Sequence, residues 1–173
     1  MFSSLPSNTK RRVLVVDDER DICELLQVIF TDAGMMVDTA GTAREALQLY
    51  GAKPYDLITL DCSMPGTDGI ELHRTFSQVF GFGRRVSPLL PQRLPPILVI
   101  TGWAEDASVR DMIFSERVVG IIQKPIRCKE LLKVAGDLMD WENHRRQRRA
   151  TALTRINERR KSDPKAMLIP QAV

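Results

Sequence analysis

The sequence predicts a doubly wound α/β fold: a five-stranded parallel sheet with helices on both faces and a helical extension at the carboxyl end. Three observations predict it. Short apolar runs alternate five times with amphipathic stretches, the pattern of repeated strand–helix units. The apolar runs are continuous rather than alternating, as strands covered on both faces are. The runs that should lie centrally each lead into a residue of use in charge chemistry, Asp17-Asp18, Asp61, Thr101 and Lys124, and in open α/β sheets function collects at those strand ends.

Taken in order, Val13 to Val16 reads as the first strand, buried on both faces. A helical face follows in Ile22, Leu25, Leu26, Ile29, Phe30 and Ala33, and Gly34 stands where a helix end favours glycine. Met36 to Ala40 is the second strand. Thr42-Ala43-Arg44-Glu45 is a capping box that opens a helix carrying Ala46, Leu47, Leu49 and Tyr50. Tyr55 to Asp61 is the third strand, and residues 68–80 the next helix, with Ile70, Leu72, Phe76 and Val79 inward. Pro96 to Thr101 is the fourth strand, 104–116 a less strongly patterned helix, Val118 to Ile122 the fifth strand. A last helix runs from about Arg127 to Asp140 on Leu131, Leu132, Val134, Ala135 and Leu138.

Composition narrows the class of molecule. At 173 residues and 43% hydrophobic content, the chain suits one globular domain with an appendage. No apolar run approaches the roughly 20 residues of a membrane helix, and Met1 to Thr9 lacks the apolar region of a secretory signal, so a cytoplasmic protein is expected. Cys23, Cys62 and Cys128 have neither paired nor metal-binding spacing and read as small core residues in a reducing compartment. The net charge of +3 conceals an asymmetry: residues 1–140 hold 16 basic and 19 acidic side chains, residues 141–173 hold 9 and 3. The division expected is a short N-terminal segment (1–10), a body (11–140) and a basic, partly helical tail (141–173).

Three carboxylates brought together repel one another unless a cation compensates. Oxygen ligands suit a hard ion, and Mg²⁺ takes one or two carboxylates with water and phosphate oxygens. Asp17, Asp18 and Asp61 therefore predict a Mg²⁺ site. Lys124 could pair with Asp61 at rest and with phosphoryl oxygens afterwards, and the Thr101 hydroxyl could donate to a phosphoryl oxygen. Asp61 would be the nucleophile of an aspartyl phosphate.

Asp17-Asp18, then Asp61-Cys62-Ser63-Met64-Pro65-Gly66-Thr67-Asp68-Gly69, then Thr101-Gly102 and Lys124-Pro125 resemble the receiver domains of two-component response regulators over about residues 11–140. The resemblance implies a flavodoxin-like sheet of order 2-1-3-4-5. It implies Asp61 as phosphoacceptor, Asp18 and Asp61 as direct metal ligands, Ser63 as a backbone-carbonyl ligand and Asp17 as a ligand through water. Thr101 resembles the switch hydroxyl and Lys124 the phosphoryl-binding lysine, aimed by a cis bond before Pro125. Gly102 leaves room for a phosphodonor. The implied partners are a sensor histidine kinase or histidine phosphotransfer protein and a downstream protein target, with a homodimer as a further possibility. Phosphorylation would draw Thr101 toward Asp61 and reshape the face of the fourth helix, fifth strand and last helix. The sequence departs from the family at Ile121, where an aromatic residue is common, and Trp103 would lie over the site or pack on the next helix.

Two segments stand outside that pattern. Residues 81–96 hold four prolines and two glycines in a connection longer than compact domains favour, at the end of the sheet away from Asp61; Leu89, Leu90 and Leu94 would fold back on the body or meet a partner. The tail carries His144-Arg145-Arg146-Gln147-Arg148-Arg149 and favours helix, while its apolar residues are too sparse for a coiled coil and Ser162-Asp163-Pro164 would end it. His73 and His144 have no companions at ligand spacing and read as surface residues. Two other functions compete with a signalling module that is not a turnover enzyme. A dehalogenase-type phosphohydrolase would want a second aspartate where Ser63 stands. A regulator binding nucleic acid through its basic tail is the alternative reading, with no recognition motif to support it.

Overall fold

The computed structural model describes residues 10–64, 95–102 and 118–162. Five strands lie in one parallel sheet: β1 (Arg12–Val16), β2 (Met36–Ala40), β3 (Leu57–Leu60), β4 (Ile97–Thr101) and β5 (Val118–Gln123), in the order β2-β1-β3-β4-β5. Three described helices accompany them, α1 (Arg20–Asp32), α2 (Ala43–Ala52) and α3 (Cys128–Ser162). The expected fold class and strand order are borne out. The helices expected at 68–80 and 104–116, the 81–96 segment save its last two residues, and Trp103 and His73 lie outside the described residues.

The period of two along each strand divides the core into two layers. Leu14 and Val16 of β1, Ile58 and Leu60 of β3, and Ile97 and Val99 of β4 point to one side, where Ala46 and Tyr50 of α2 cover them. Val13 and Val15, Leu57, and Leu98 and Ile100 point to the other, against Leu26, Ile29 and Phe30 of α1 and Leu131, Ala135 and Met139 of α3. Both faces of the central strands are thus covered, which is why their sequences read as unbroken apolar runs.

Local chemistry sets the helix ends. Gly34 has φ +82°, and its N–H donates to the Thr31 carbonyl (2.8 Å) while Met35 N–H donates to that of Phe30 (3.0 Å). This is a Schellman closure, which needs a left-handed residue that glycine adopts at no steric cost. At α2 the Thr42 hydroxyl accepts from Glu45 N–H (3.2 Å), as the capping box predicts. The reciprocal bond differs: Glu45 Oε2 accepts from Gly41 N–H (2.9 Å), one residue earlier. A second difference concerns α1. Leu25 is 42% exposed and Ala33 is exposed, whereas Cys23 is buried. The inward stripe is Cys23, Leu26, Ile29 and Phe30, and Leu25 lies on the flank outside it.

Backbone contacts divide the chain into two compact units, Met1–Met139 and Asp140–Val173, and α3 contributes residues to both. In the first, Gly120 of β5 allows close packing: a Cβ there would stand 3.2 Å from Leu98 Cδ1 and 3.8 Å from Val134 Cγ1. In the second, Arg145 ion-pairs with Glu142 (2.9 Å) and stacks over the Trp141 ring at 5.0 Å.

Candidate functional site

The register of the sheet builds the site. Val16 is paired with Leu60, so the residues that follow them, Asp17 and Asp61, leave the sheet side by side. Main-chain bonds fix both departures: Asp17 N–H donates to Ala40 O (3.1 Å) and Asp61 N–H to Val16 O (2.9 Å). The chain moves to β2 on one side of β1 and to β3 on the other, which makes this edge the topological switch point, where such sheets open a crevice. Lys124 is brought in from β5. Its N–H donates to the carbonyl of Thr101 (2.9 Å), a buried residue closing β4, and the Lys124-Pro125 bond is cis.

The Lys124 ammonium meets three carboxylates. Its Nζ lies 3.0 Å from Asp17 Oδ2, 2.8 Å from Glu19 Oε1 and 3.0 Å from Asp61 Oδ2. An ammonium has three N–H donors, so this set saturates it. Burial pulls Lys124 down, but the bonds to Glu19, Asp17 and Asp61 outweigh that and hold it well above its ordinary value, fully charged. Asp17 and Asp61 are only 2% and 4% exposed. Burial pushes the Asp17 carboxyl up, against the Glu19 N–H and Lys124, and neighbouring Asp61 pushes the same way. Asp17 Oδ1 accepts from Glu19 N–H (2.9 Å) and Asp61 Oδ1 from Ser63 N–H (3.1 Å), so each carboxylate is oriented by backbone as well as by lysine. The Cys23 thiol donates to Asp17 O (3.2 Å), and burial with Asp17 nearby pushes it up to about 11, so it packs as a neutral group.

Oxygens of Asp17, Glu19 and Asp61 lie within 4.8 Å of one another. Against one ammonium, three carboxylates leave two negative charges, which is the charge of one divalent cation. Oxygen donors of that number suit a hard ion. An open cavity of about 300 Å³ lies over the group, lined by Asp18, Glu19, Asp61, Ser63, Gly102 and Lys124. A Cβ on Gly102 would meet nothing within 4 Å, so that wall is open to an incoming group.

The sequence-predicted residues therefore gather at one edge. Asp17, Asp61 and Lys124 are in direct contact, Asp18 and Ser63 line the cavity, and Thr101 anchors the lysine's backbone. Asp18 is exposed, and its carboxylate is not one of the three that converge. The third carboxylate on Lys124 is that of Glu19, which the sequence reading passed over. Its signal was its position, next after the acidic pair and at the N-cap of α1. Ile121 is partly buried against the α2-side core.

Comparison with known proteins agrees with this geometry. Residues 13–135 match the family model described as the response regulator receiver domain. The response regulator MprA of Mycolicibacterium vanbaalenii is 35% identical over 128 residues, which cover 70% of this chain and 47% of that protein. The transcriptional regulatory protein ResD of Bacillus subtilis is 30% identical over 128 residues, covering 74% and 48%. The chain thus spans about half the length of these relatives. Among solved structures, a CheY-like receiver domain protein from Methanospirillum hungatei superposes with a TM-score of 0.68 over 79% of this chain and 99% of that one; at 21% identity it shares the fold alone. The response regulator TrrA of Thermotoga maritima, solved in complex with Mg²⁺-BeF, superposes with a TM-score of 0.57 at 27% identity over 74% of this chain and 98% of that one. With the matched model spanning most of the sheet and every strand end of the site, this chain belongs to the response regulator receiver domain family.

Proposed function

We propose that this chain is a phosphoacceptor that takes one phosphoryl group onto Asp61 from a phosphohistidine. The observation that carries the reading is the Lys124 ammonium held at once by Asp17, Glu19 and Asp61 beside an open cavity. A carboxylate oxygen of Asp61 attacks phosphorus, an O–P bond forms and the P–N bond to the donor imidazole breaks. The electron pair returns to the ring nitrogen, which takes a proton from solvent. Such a transfer needs alignment and charge neutralisation more than acid–base chemistry. Ser63 N–H and Lys124 orient the acceptor carboxylate before transfer, and afterwards the lysine can donate to a phosphoryl oxygen, as can the Thr101 hydroxyl.

The residues that would hold Mg²⁺ are Asp17, Asp18 and Asp61 with the Ser63 backbone carbonyl, and the ion's contribution when bound is positive charge against the phosphoryl oxygens. Lys124 cancels one of the converging negative charges and leaves two for the cation. The product is a stoichiometric mixed anhydride, so the chain acts as a signalling module and not a turnover enzyme. Its donor is a sensor histidine kinase or histidine phosphotransfer protein, and its reader a protein that distinguishes the phosphorylated form. Cys23, Cys62 and Cys128 are free thiols, and no helix among the described residues is long and apolar enough to cross a membrane; both support work in the cytoplasm.

Exposure to acetyl phosphate with Mg²⁺, followed by intact-mass measurement, tests the reading. One added phosphoryl group is expected, absent with chelator and absent in Asp61→Asn. Uptake that persists in Asp61→Asn, or sustained turnover of small phosphoesters, overturns it.

A further inference from the structure

The helix α3 continues without interruption to Ser162, and this regularity places each tail residue at a definite angle around the axis. At 3.6 residues per turn, each residue advances about 100°. Between positions 145 and 160, the backbone positions on one half of the circumference are 145, 146, 148, 149, 152, 153, 155, 156, 159 and 160. They hold all seven arginines of that stretch, with Ala152, Leu153 and Ile156 between them and no acid. The other half holds Gln147, Ala150, Thr151, Thr154, Asn157 and Glu158, with no basic residue at all. The arginine half extends about 22 Å along the axis at 1.5 Å per residue. Arg145 is engaged by Glu142 and Trp141.

We infer that this half of the helix between positions 145 and 160 binds the phosphate backbone of duplex DNA, lying along the major groove. All seven basic residues between positions 145 and 160 are arginine, whose planar guanidinium matches phosphate with paired hydrogen bonds. A helix of about 10–12 Å diameter fits the B-form major groove, about 12 Å wide, and not the deep, narrow one of RNA. Leu153 and Ile156 are the only large apolar residues between Glu142 and Ser162, too few to seat a helix in a membrane interface. Docking two such halves together would oppose arginine to arginine, which excludes a second copy. The site rests on the helix alone and is independent of whether Asp61 accepts phosphate.

The test is fluorescence anisotropy of the full chain with a mixed-sequence DNA duplex of about 20 base pairs, from about 50 to 200 mM salt. Micromolar binding is expected, with a log–log salt slope of about −5 for six phosphate contacts. The variant Arg148→Gln, Arg149→Gln, Arg155→Gln, Arg159→Gln should lose about 100-fold in affinity at low salt, with the slope reduced by about four. A control, Gln147→Glu, Thr151→Glu, Thr154→Glu, Asn157→Glu, removes the same net charge from the opposite half and should lose less than about tenfold. Circular dichroism establishes that both keep the helix. Equal losses in the two variants, unchanged binding in the arginine variant, tighter binding to duplex RNA, or a preference for phosphatidylserine vesicles each overturns the inference. Should the arginine variant unfold, the unmodified chain still decides: a slope shallower than about −2 sinks it.

Discussion

Two charge clusters in the first unit are inverses of each other. At the carboxyl edge of the sheet one ammonium, Lys124, is held by three carboxylates, Asp17, Glu19 and Asp61. On the β2 edge one carboxylate, Asp38, is held by three donors: Lys53 Nζ at 2.6 Å, Arg12 Nη1 at 3.0 Å and the Tyr55 hydroxyl at 3.0 Å. The first uses all three donors of the ammonium, and the second three of the roughly four acceptor sites of a carboxylate. They differ in where the surplus charge lies. Around Lys124 the surplus is negative, and two of its three carboxylates, Asp17 and Asp61, are almost fully buried. Around Asp38 the surplus is positive and sits on Arg12 and Lys53, whose side chains are 25% and 40% exposed. A buried surplus calls for a counter-ion, and a solvated one does not. The titration of the two clusters reflects this. Burial pushes Asp17 up despite its lysine, whereas burial at Asp38 is overcome by Lys53, Arg12 and Tyr55, which hold it below its ordinary value. One cluster is poised for a ligand; the other fastens β2 to β1 and to the segment between α2 and β3.

The largest expected effect comes from removing the central cation. Lys124→Met leaves the buried carboxylates of Asp17 and Asp61 without their partner, which should destabilise the fold by about 3 kcal/mol in chelator. Mg²⁺ should restore more stability to this variant than it adds to the unmodified chain, because the cation is then the sole compensation for three carboxylates. Urea unfolding with and without Mg²⁺ measures both. A variant as stable as the parent in chelator would mean that the acidic surplus is not a buried cost.

Much of the first cluster was legible in the sequence and little of the second, for a physical reason. Asp17, Asp61 and Lys124 each follow an apolar run, and parallel strands in register place their ends together whatever the loops do. Glu19 was missed because its role depends on a lysine 105 residues away and on the turn into α1, which no periodicity reports. Asp38 lies inside a strand, where sequence pattern attends to apolar alternation, and its partners come from β1 and from the segment between α2 and β3. Cys23 is inside and Leu25 outside because the direction in which α1 packs, not hydrophobicity alone, selects the inward stripe. The tail's arginines looked like an undirected basic run until the continuity of α3 gave each position an angle.

Breaking the second cluster at its centre should cost less. Asp38→Ala removes hydrogen bonds to two charged groups and one phenol, about 2 kcal/mol at neutral pH. Because Asp38 is held below its ordinary value in the folded chain, its contribution is present above the unfolded pKa, near 4, and is lost as pH falls through the lower folded value. The stability difference between parent and variant should therefore close as the pH is lowered from about 5 toward 2. A gap that stays constant over that range would show that Asp38 acts through packing and not through its charge.

The smallest effect sharpens the point at one bond. Tyr55→Phe keeps the ring, and with it the stacking on Tyr50 at 6.3 Å between centroids, and deletes only the hydroxyl that donates to Asp38. A loss of about 1 kcal/mol is expected near neutrality. Burial and the Asp38 carboxylate push Tyr55 above its ordinary value, so the hydroxyl's contribution is complete below the unfolded pKa, near 10, and drains away as pH rises toward the folded value. The parent's advantage over Tyr55→Phe should accordingly shrink above about pH 10, the reverse of the acid-side loss at Asp38. Two members of one hydrogen bond would then lose their stabilisation at opposite ends of the pH scale, the acceptor when it gains a proton and the donor when it gives one up. A difference between parent and Tyr55→Phe that holds level through the alkaline range would detach the phenol from the carboxylate and leave Asp38 resting on its two cations.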